Sequence, residues 1–96
     1  MPEFPGGVEG LKRYLLRNLR EPEGLQPGEK VVVLIRFVVD KDGSIDEATI
    51  VQSGGHFDQE VLRVIKKMPR WKPGIQNNRF VAVYYTLPVT FVGFED

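Results

Sequence analysis

The sequence predicts an α+β domain with the element order helix–strand–strand–helix–strand. A hairpin, a helix after it and a long final strand carry this prediction. The apolar run Val31–Val39 leads through the turn Asp40–Gly43 into a second strand that ends near Ser53. Two strands joined by a short loop ending in glycine form a hairpin. A helix over Asp58–Met68 then separates this hairpin from the last strand, Phe80–Phe94.

The first helix is predicted over Val8–Arg20, because apolar residues recur there at three- and four-residue spacing. Gly6 and Gly7 precede this helix, and Pro22 ends it. The apolar positions are Val8, Leu11, Tyr14, Leu15 and Leu19. The helix therefore has one face suited to packing on a sheet.

The first strand is apolar on both faces. One face carries Val31, Val33, Ile35, Phe37 and Val39, and the other carries Val32, Leu34, Arg36 and Val38. This pattern is typical of a central strand, or of a strand whose outer face meets a partner. The second strand changes parity after Ile45, which predicts a β-bulge near Asp46–Glu47.

Connection rules then predict the topology. The second helix makes a right-handed crossover, so the last strand lies parallel to the second strand. The simplest sheet is antiparallel with three strands in the order two-one-three and both helices on one face. Strand three is left with a long free edge, in agreement with Pro88, which cannot donate to a ladder. Trp71, just after the second helix, is predicted to be a core residue.

Composition argues against several classes of function. The 96 residues suit one domain, residues 1–96, and their net charge of zero does not indicate a partner of nucleic acid or anionic lipid. Asp40–Asp46 resembles part of a calcium loop but lacks its first ligand and its bidentate glutamate, so a hairpin turn is the better interpretation. With no cysteine and one histidine, no catalytic site, metal site or cofactor site is predicted, and an enzyme is the least favoured class.

The longest apolar run is too short to span a bilayer, and Met1 is not followed by a signal peptide. We therefore expect either a cytosolic protein or, in preference, a fragment of a longer one.

Three pieces of sequence carry a resemblance to a known family. The first is the strand and turn over Val31–Ile45 with Ser53-Gly54, and the second runs from Phe57-Asp58 to Met68-Pro69-Arg70-Trp71-Lys72-Pro73-Gly74. The third is the opening Glu3-Phe4-Pro5-Gly6-Gly7. Together they resemble the C-terminal domain of the TonB family of energy transducers, in the version found in Bacteroidetes. One departure is Glu21-Pro22, where the family often has Tyr-Pro.

The resemblance implies a periplasmic domain of a parent protein anchored in the inner membrane. Such domains dock onto TonB-dependent outer-membrane receptors, whose TonB box adds a strand to the last strand of the domain. Inner-membrane partners of the ExbB and ExbD type supply energy for active import, for example of siderophores. The free edge predicted from the residues suits the same mode of binding.

The docking edge is predicted to be Phe80–Thr86. Its members are Phe80, Val81, Ala82, Val83, Tyr84, Tyr85 and Thr86. Phe80, Ala82, Tyr84 and Thr86 should lie on the outer face. The resemblance adds Asn18 and Arg20, at the end of the first helix, as receptor contacts. Two alternatives stay open: a peptide- or envelope-binding sensor or scaffold domain of another membrane protein, and a homodimeric structural module.

Overall fold

The computed structural model describes residues 1–20 and 24–93. Its helices are α1 (Gly7–Asn18) and α2 (Asp58–Lys66), and a short 3-10 turn, Gly55–Phe57, precedes α2. The strands are β1 (Lys30–Val39), β2 (Ile45–Gln52), β3 (Gly74–Gln76), β4 (Arg79–Val81) and β5 (Val83–Val92). The predicted α+β class is confirmed, with one hairpin, β3–β4, in addition.

The main sheet is antiparallel with the order β2-β1-β5, as predicted. β1 pairs with β5 without interruption, from Lys30 opposite Val92 to Val39 opposite Val83. The buried sides of both strands face α1 and α2, which contribute to the same core. The central position of β1 explains its two apolar faces.

The predicted bulge in β2 is confirmed. The register to β1 shifts by one residue within Asp46–Thr49, where Glu47 has a φ of 49°. A second shift, not predicted, lies within Ile50–Gln52. Bulges bend and twist a strand, so β2 forms an irregular edge of the sheet.

The prediction of a single last strand over Phe80–Phe94 is wrong at its start. Ala82 belongs to no strand, and β4 before it pairs with β3 in a small two-stranded sheet. Asn77 and Asn78, between β3 and β4, both have positive φ, which a two-residue hairpin turn of the I′ type requires. The chain therefore turns back on itself before it joins the main sheet. Phe94 lies outside the described residues, as does the predicted helix stop at Pro22.

The core lies between the sheet and the helices. The residues buried in it are Phe4, Leu11, Val33, Ile35, Phe37, Val39, Phe57, Val61, Ile65, Trp71, Leu87, Val89 and Phe91. Tyr14, Leu15 and Leu19 pack partly against this core, as their spacing predicted. Val8 does not, because it is exposed in the first turn of α1. Phe4 from the preceding segment is buried instead and contacts the ring of Tyr14.

Trp71 is a core residue, as predicted, and is only 3% exposed. Its ring makes edge contacts with Phe4, Phe37 and Tyr85 at centroid distances of 5.6, 5.5 and 4.9 Å. Its backbone N–H donates to the carbonyl of Gly43 at 2.8 Å. A Cβ on Gly43 would lie 2.0 Å from the Trp71 carbonyl oxygen, so only glycine allows this approach. Trp71 thus ties the β1–β2 turn to the segment after α2.

We expect Trp71→Ala to lower the free energy of unfolding by about 3–5 kcal/mol, because a buried aromatic ring is lost and a cavity remains. Thermal unfolding followed by circular dichroism measures this loss as a fall in Tm of about 10 °C or more. Trp71→Phe is the matched control. Nε1 of Trp71 has no hydrogen-bond partner among the described residues. The phenylalanine variant therefore loses ring volume alone and should retain most of the stability. An unchanged Tm in the alanine variant would contradict the assignment of Trp71 to the core.

Candidate functional site

One edge of β5 pairs with no other strand among residues 1–20 and 24–93. The hydrogen bond from the Gly93 N–H to the Glu29 carbonyl, at 2.9 Å, continues the register between β5 and β1. Backbone groups of successive residues point to opposite edges of a strand. The odd-numbered residues of β5 therefore bond to β1, and Tyr84, Thr86, Thr90 and Val92 direct their N–H and C=O groups outward.

Pro88 falls in this outward-pointing set and has no N–H to offer. It interrupts the row of donors and divides the edge into an N-terminal half, Val83–Leu87, and a C-terminal half, Val89–Val92. A proline on an edge strand is one of the devices by which proteins limit edge-to-edge pairing. The edge can therefore accept a strand on either half, but with a missing donor between them.

The predicted docking segment Phe80–Thr86 does not lie in a single strand, because it runs from β4 into β5. Phe80 and Val81 lie in β4 and pair with β3, and Ala82 lies between the strands. Val83, Tyr84, Tyr85 and Thr86 belong to the N-terminal half of the β5 edge. Only this last group shares the free edge of the main sheet.

The side chains of the predicted segment alternate as expected. Phe80, Ala82, Tyr84 and Thr86 are exposed, whereas Val81, Val83 and Tyr85 are partly buried. The guanidinium of Arg36 on β1 lies 5.1 Å from the centre of the Tyr84 ring, a cation–π distance. The outer face next to the N-terminal half thus carries an aromatic ring with a cation above it.

A groove of about 580 Å³ lies between α1 and the other half of the β5 edge. It is lined by Lys12, Leu15, Leu16 and Leu19 of α1 and by Pro88–Val92 of β5. Sequence reasoning missed this groove. The sequence signal for the groove is the pair Leu15-Leu16. A helix that packs Leu15 against the core leaves the next residue, Leu16, at the side of its apolar face and exposed.

Leu19, which lies between Asn18 and Arg20 in the chain, lines the groove at this end of β5. The start of α1 lies near Tyr85, since Gly7, Leu11 and Tyr85 line one small cavity. The structure therefore does not bring Asn18 and Arg20 together with Phe80–Thr86. It brings the end of α1 next to Pro88–Val92.

The end of α1 is clamped to α2 through Glu60 and Arg63. Arg63 donates two hydrogen bonds of 2.8 Å to the Glu60 carboxylate and a third, of 2.9 Å, to the Asn18 carbonyl. The Arg20 N–H donates to the same carboxylate at 2.5 Å. The backbone of Asn18 and Arg20 is thus fixed to α2. The Asn18 amide is exposed and donates to the Tyr14 carbonyl at 2.7 Å.

Two side chains between α1 and α2 have shifted pKa values. The hydrogen bond from Arg63 holds the pKa of the Glu60 carboxyl below its usual value, and the Arg20 N–H acts in the same direction. Burial raises the pKa of Tyr14, whose hydroxyl donates to the Val64 carbonyl at 2.7 Å. At neutral pH, therefore, Glu60 is charged and Tyr14 remains a donor.

The described part of the chain has no group of three or more histidine, cysteine, aspartate or glutamate residues placed to hold a metal ion. Neither α1 nor α2 is long and apolar enough to cross a membrane.

Comparison with known families gives a match to one part of the chain. The model of the family described as Gram-negative bacterial TonB protein C-terminal matches residues 25–92. Its range covers β1 to β5 and the first two pieces of the resemblance. The opening Glu3–Gly7, which resembles the Bacteroidetes version, lies before it, so that subtype stays a prediction. A search of curated proteins finds no match to the chain.

We expect Glu60→Gln to lower the free energy of unfolding at pH 7 by about 1 kcal/mol, because charge-assisted hydrogen bonds from Arg63 and Arg20 become neutral ones. The pKa of Glu60 is lowered in the folded state, so its contribution is complete above the ordinary glutamate pKa and is lost as pH falls through the folded value. The difference in the free energy of unfolding between wild type and variant should therefore shrink as pH falls below the ordinary glutamate pKa.

Urea unfolding at several pH values measures this difference. Glu9→Gln is the matched control, since the Glu9–Lys12 pair at 3.8 Å is exposed and should contribute little. If the difference in the free energy of unfolding between wild type and Glu60→Gln did not change as pH falls, the charged contact between Glu60 and Arg63 would not contribute to stability.

We expect Pro88→Thr to increase self-association, because it restores an outward N–H in the middle of the β5 edge. Each added backbone bond contributes about 0.5–1.5 kcal/mol, so a two-fold pairing of edges should tighten by about tenfold. Sedimentation velocity over a range of concentrations measures the change. Pro69→Thr, at an exposed proline outside any strand, is the control. Equal association of both variants would show that Pro88 does not limit strand pairing at the β5 edge.

Proposed function

The chain belongs to the family of C-terminal domains of Gram-negative bacterial TonB proteins, and on that premise we propose that it binds the TonB box of outer-membrane receptors by strand addition to β5. The family is one of receptor interaction and energy transduction. The observation that carries the proposal for this chain is the unpaired β5 edge with its four outward N–H groups. Such an edge binds an extended peptide through its backbone, while alternate side chains set the specificity.

The proposed docking edge begins within the predicted segment and continues beyond it. Val83–Thr86 belongs to the free edge of the main sheet, whereas Phe80 and Val81 are held by β3. In this proposal Asn18 and Arg20 contact the receptor near the far end of the same strand, because Leu19 between them lines the groove with Pro88–Val92. A peptide lying along the whole of β5 would pass both regions.

The charged side chains near the end of α1 are expected to be secondary to the backbone. Exposed charge pairs contribute little to affinity, but they steer association and fix register. Arg20 is exposed, with its backbone held by Glu60, so its guanidinium extends from a fixed point of attachment. In this proposal Arg20 and Asn18 contact polar or acidic groups of the receptor around its TonB box.

The wider setting follows from the same premise. TonB family domains are periplasmic, and we propose that a parent protein anchors this domain in the inner membrane and couples it to partners of the ExbB and ExbD type. Active import through receptors, including siderophore import, is then the process served. The role proposed is binding rather than catalysis.

The test is a titration of the isotopically labelled domain with a peptide carrying the TonB box of a receptor from the same organism. We expect the outward amides of Tyr84, Thr86, Thr90 and Val92 to shift and to exchange more slowly with solvent, because the added strand accepts from them. Tyr85 and Phe91 are internal controls. Their amides already bond to β1, so their exchange should change little.

Shifts confined to the turn Asp40–Gly43, or none at millimolar peptide, would contradict docking at β5. Protection of the same amides that rises with protein concentration, in the absence of peptide, would favour the homodimeric alternative instead.

A further inference from the structure

The charges of this neutral chain are unevenly distributed. Residues 7–20 and 58–72, which form α1, α2 and the segments directly after them, carry nine lysine and arginine residues and three acidic residues. Residues 40–47, which form the β1–β2 turn and the start of β2, carry four acidic residues and one lysine. The net charge of zero therefore averages a basic helical layer with an acidic end of the sheet, and the layer can attract an anion although the whole chain is neutral.

Four cations of this layer have no acidic partner. They are Arg13 and Arg17 on α1 and Lys66 and Lys67 at the end of α2, and all four are exposed. Among residues 1–20 and 24–93, none of them lies in an ion pair. Glu60, where the two helices meet, is already bonded to Arg63. The charge of the four cations is therefore available to a partner, and we call these four residues the basic helix surface.

Arg13 and Lys66 point away from the sheet. Arg13 follows the buried Leu11 by two residues. Lys66 follows the buried Val64 by two residues in the same way. Two residues correspond to about 200° around an α-helix, so a side chain at this spacing lies nearly opposite the buried one. Both cations therefore lie on the outer side of the helical layer.

Arg17 and Lys67 lie along the seam between the two helices. The Tyr14 hydroxyl on α1 donates to the Val64 carbonyl on α2 at 2.7 Å, so α1 and α2 meet at these two residues. Arg17 follows Tyr14 by three residues, and residues three apart are neighbours on a helix surface. Lys67 has the same spacing from Val64. The four cations therefore belong to one outer surface that spans both helices.

The chemistry of this surface favours a layer of anionic headgroups over a folded protein partner. Stable protein interfaces have an apolar core with few charges, whereas α2, within the part of the chain that the structure describes, exposes no large apolar side chain. Lysine and arginine side chains near an anionic bilayer each strengthen binding, and this attraction requires no shaped pocket. Nucleic acid is disfavoured as a partner because TonB family domains are periplasmic.

We propose that the basic helix surface binds a membrane that contains anionic phospholipid, independently of strand addition at β5. The ligands are the phosphate groups of the lipid heads, which the two arginines contact from α1 and the two lysines from the end of α2. No residue of β5 belongs to this surface, so the domain can lie on a bilayer while its sheet edge holds a peptide. A domain held in this way searches for a membrane protein in two dimensions rather than three.

The test is cosedimentation of the intact domain with lipid vesicles. The probe vesicles are phosphatidylcholine with about 30% phosphatidylglycerol, and the control vesicles are phosphatidylcholine alone. We expect binding to the probe vesicles only. This binding should fall strongly between about 0.01 M and about 0.15 M salt, because the Debye length falls from about 30 Å to about 8 Å. Equal sedimentation with both kinds of vesicle would overturn the proposal.

Two double variants of equal net charge locate the site. The helix variant is Arg17→Gln with Lys67→Gln. The sheet variant is Lys30→Gln with Arg79→Gln, at exposed positions in β1 and β4. Glutamine is tolerated at exposed positions, so both variants should keep the Tm of the wild type. We expect the helix variant to bind the anionic vesicles about 20-fold more weakly, because each basic residue near the bilayer contributes about fivefold, and the sheet variant to change by less than about twofold.

A lipid with a nitroxide on its headgroup gives a second measurement that needs no substitution. With this lipid in the probe vesicles, we expect the backbone amide signals of Arg17 and Lys67 to broaden, since the nitroxide lies close to them in the bound state. The amide signals of Lys30 and Arg79 should stay sharp. Broadening at Lys30 and Arg79 instead would place the membrane against the sheet and overturn the proposal.

The remaining outcomes separate a membrane from other anions. If both double variants lose the same affinity, the attraction follows total charge and the basic helix surface is not the site. If inorganic phosphate displaces the domain from vesicles more than chloride does at equal ionic strength, the ligand is a free anion. If a single-stranded oligonucleotide binds the wild type more tightly than the vesicles do, the partner is a nucleic acid. Each of these results would overturn the proposal.

The proposed function is tested separately on the same variants. We expect the TonB box peptide to shift the β5 amides equally in the wild type and in the helix variant, because the two sites are independent. A loss of these shifts in the helix variant alone would show that the basic helix surface serves the peptide rather than a membrane. Absence of the shifts in every protein would contradict strand addition and leave the vesicle result standing.

Discussion

The unbroken pairing of β1 with β5 is the constraint on which the rest of this structure depends. Ten consecutive residues of β1 lie opposite ten residues of β5 in one register. That register turns Leu87, Val89 and Phe91 toward the helices, and it also turns their backbone groups toward β1. The core and the unpaired edge are therefore set together, since a slip of one residue would expose the core side chains and change which amides point outward.

The sheet could be predicted because its signals are local or follow from general connection rules. Apolar side chains on both faces of β1 identified it as the central strand. The change in the alternation of side chains after Ile45 located a bulge, which the register shift and the positive φ of Glu47 confirm. The split of the last strand could also have been predicted, because Asn77-Asn78 is a turn signal for a two-residue hairpin. A long β-prone run after these residues led instead to one continuous strand from Phe80.

The candidate site was harder to predict because it depends on contacts distant in sequence. The edge itself followed from topology, and Pro88 was correctly placed on it. The groove was not predicted, since it requires the position of α1 relative to β5, and that position is fixed by Tyr14 bonding to Val64 and by the Glu60–Arg63 clamp. Helical periodicity identifies which face of α1 is apolar, but not the strand edge over which that face extends. For the same reason Asn18 and Arg20 could be predicted as receptor contacts, but where they lie relative to β5 could not be predicted.

The two bulges of β2 have a consequence for how this sheet can grow. A sheet with two regular edges can stack copies head to tail, with the first edge of one molecule on the last edge of the next, and such heterologous contact leads to open fibres. Here one edge is kinked within Asp46–Thr49 and again within Ile50–Gln52, so it offers no straight template to a neighbour. The regular edge of the main sheet is β5, where a single added strand or a two-fold mate would end growth. The main sheet therefore exposes one regular edge, and it lacks the second regular edge that open-ended polymerisation requires.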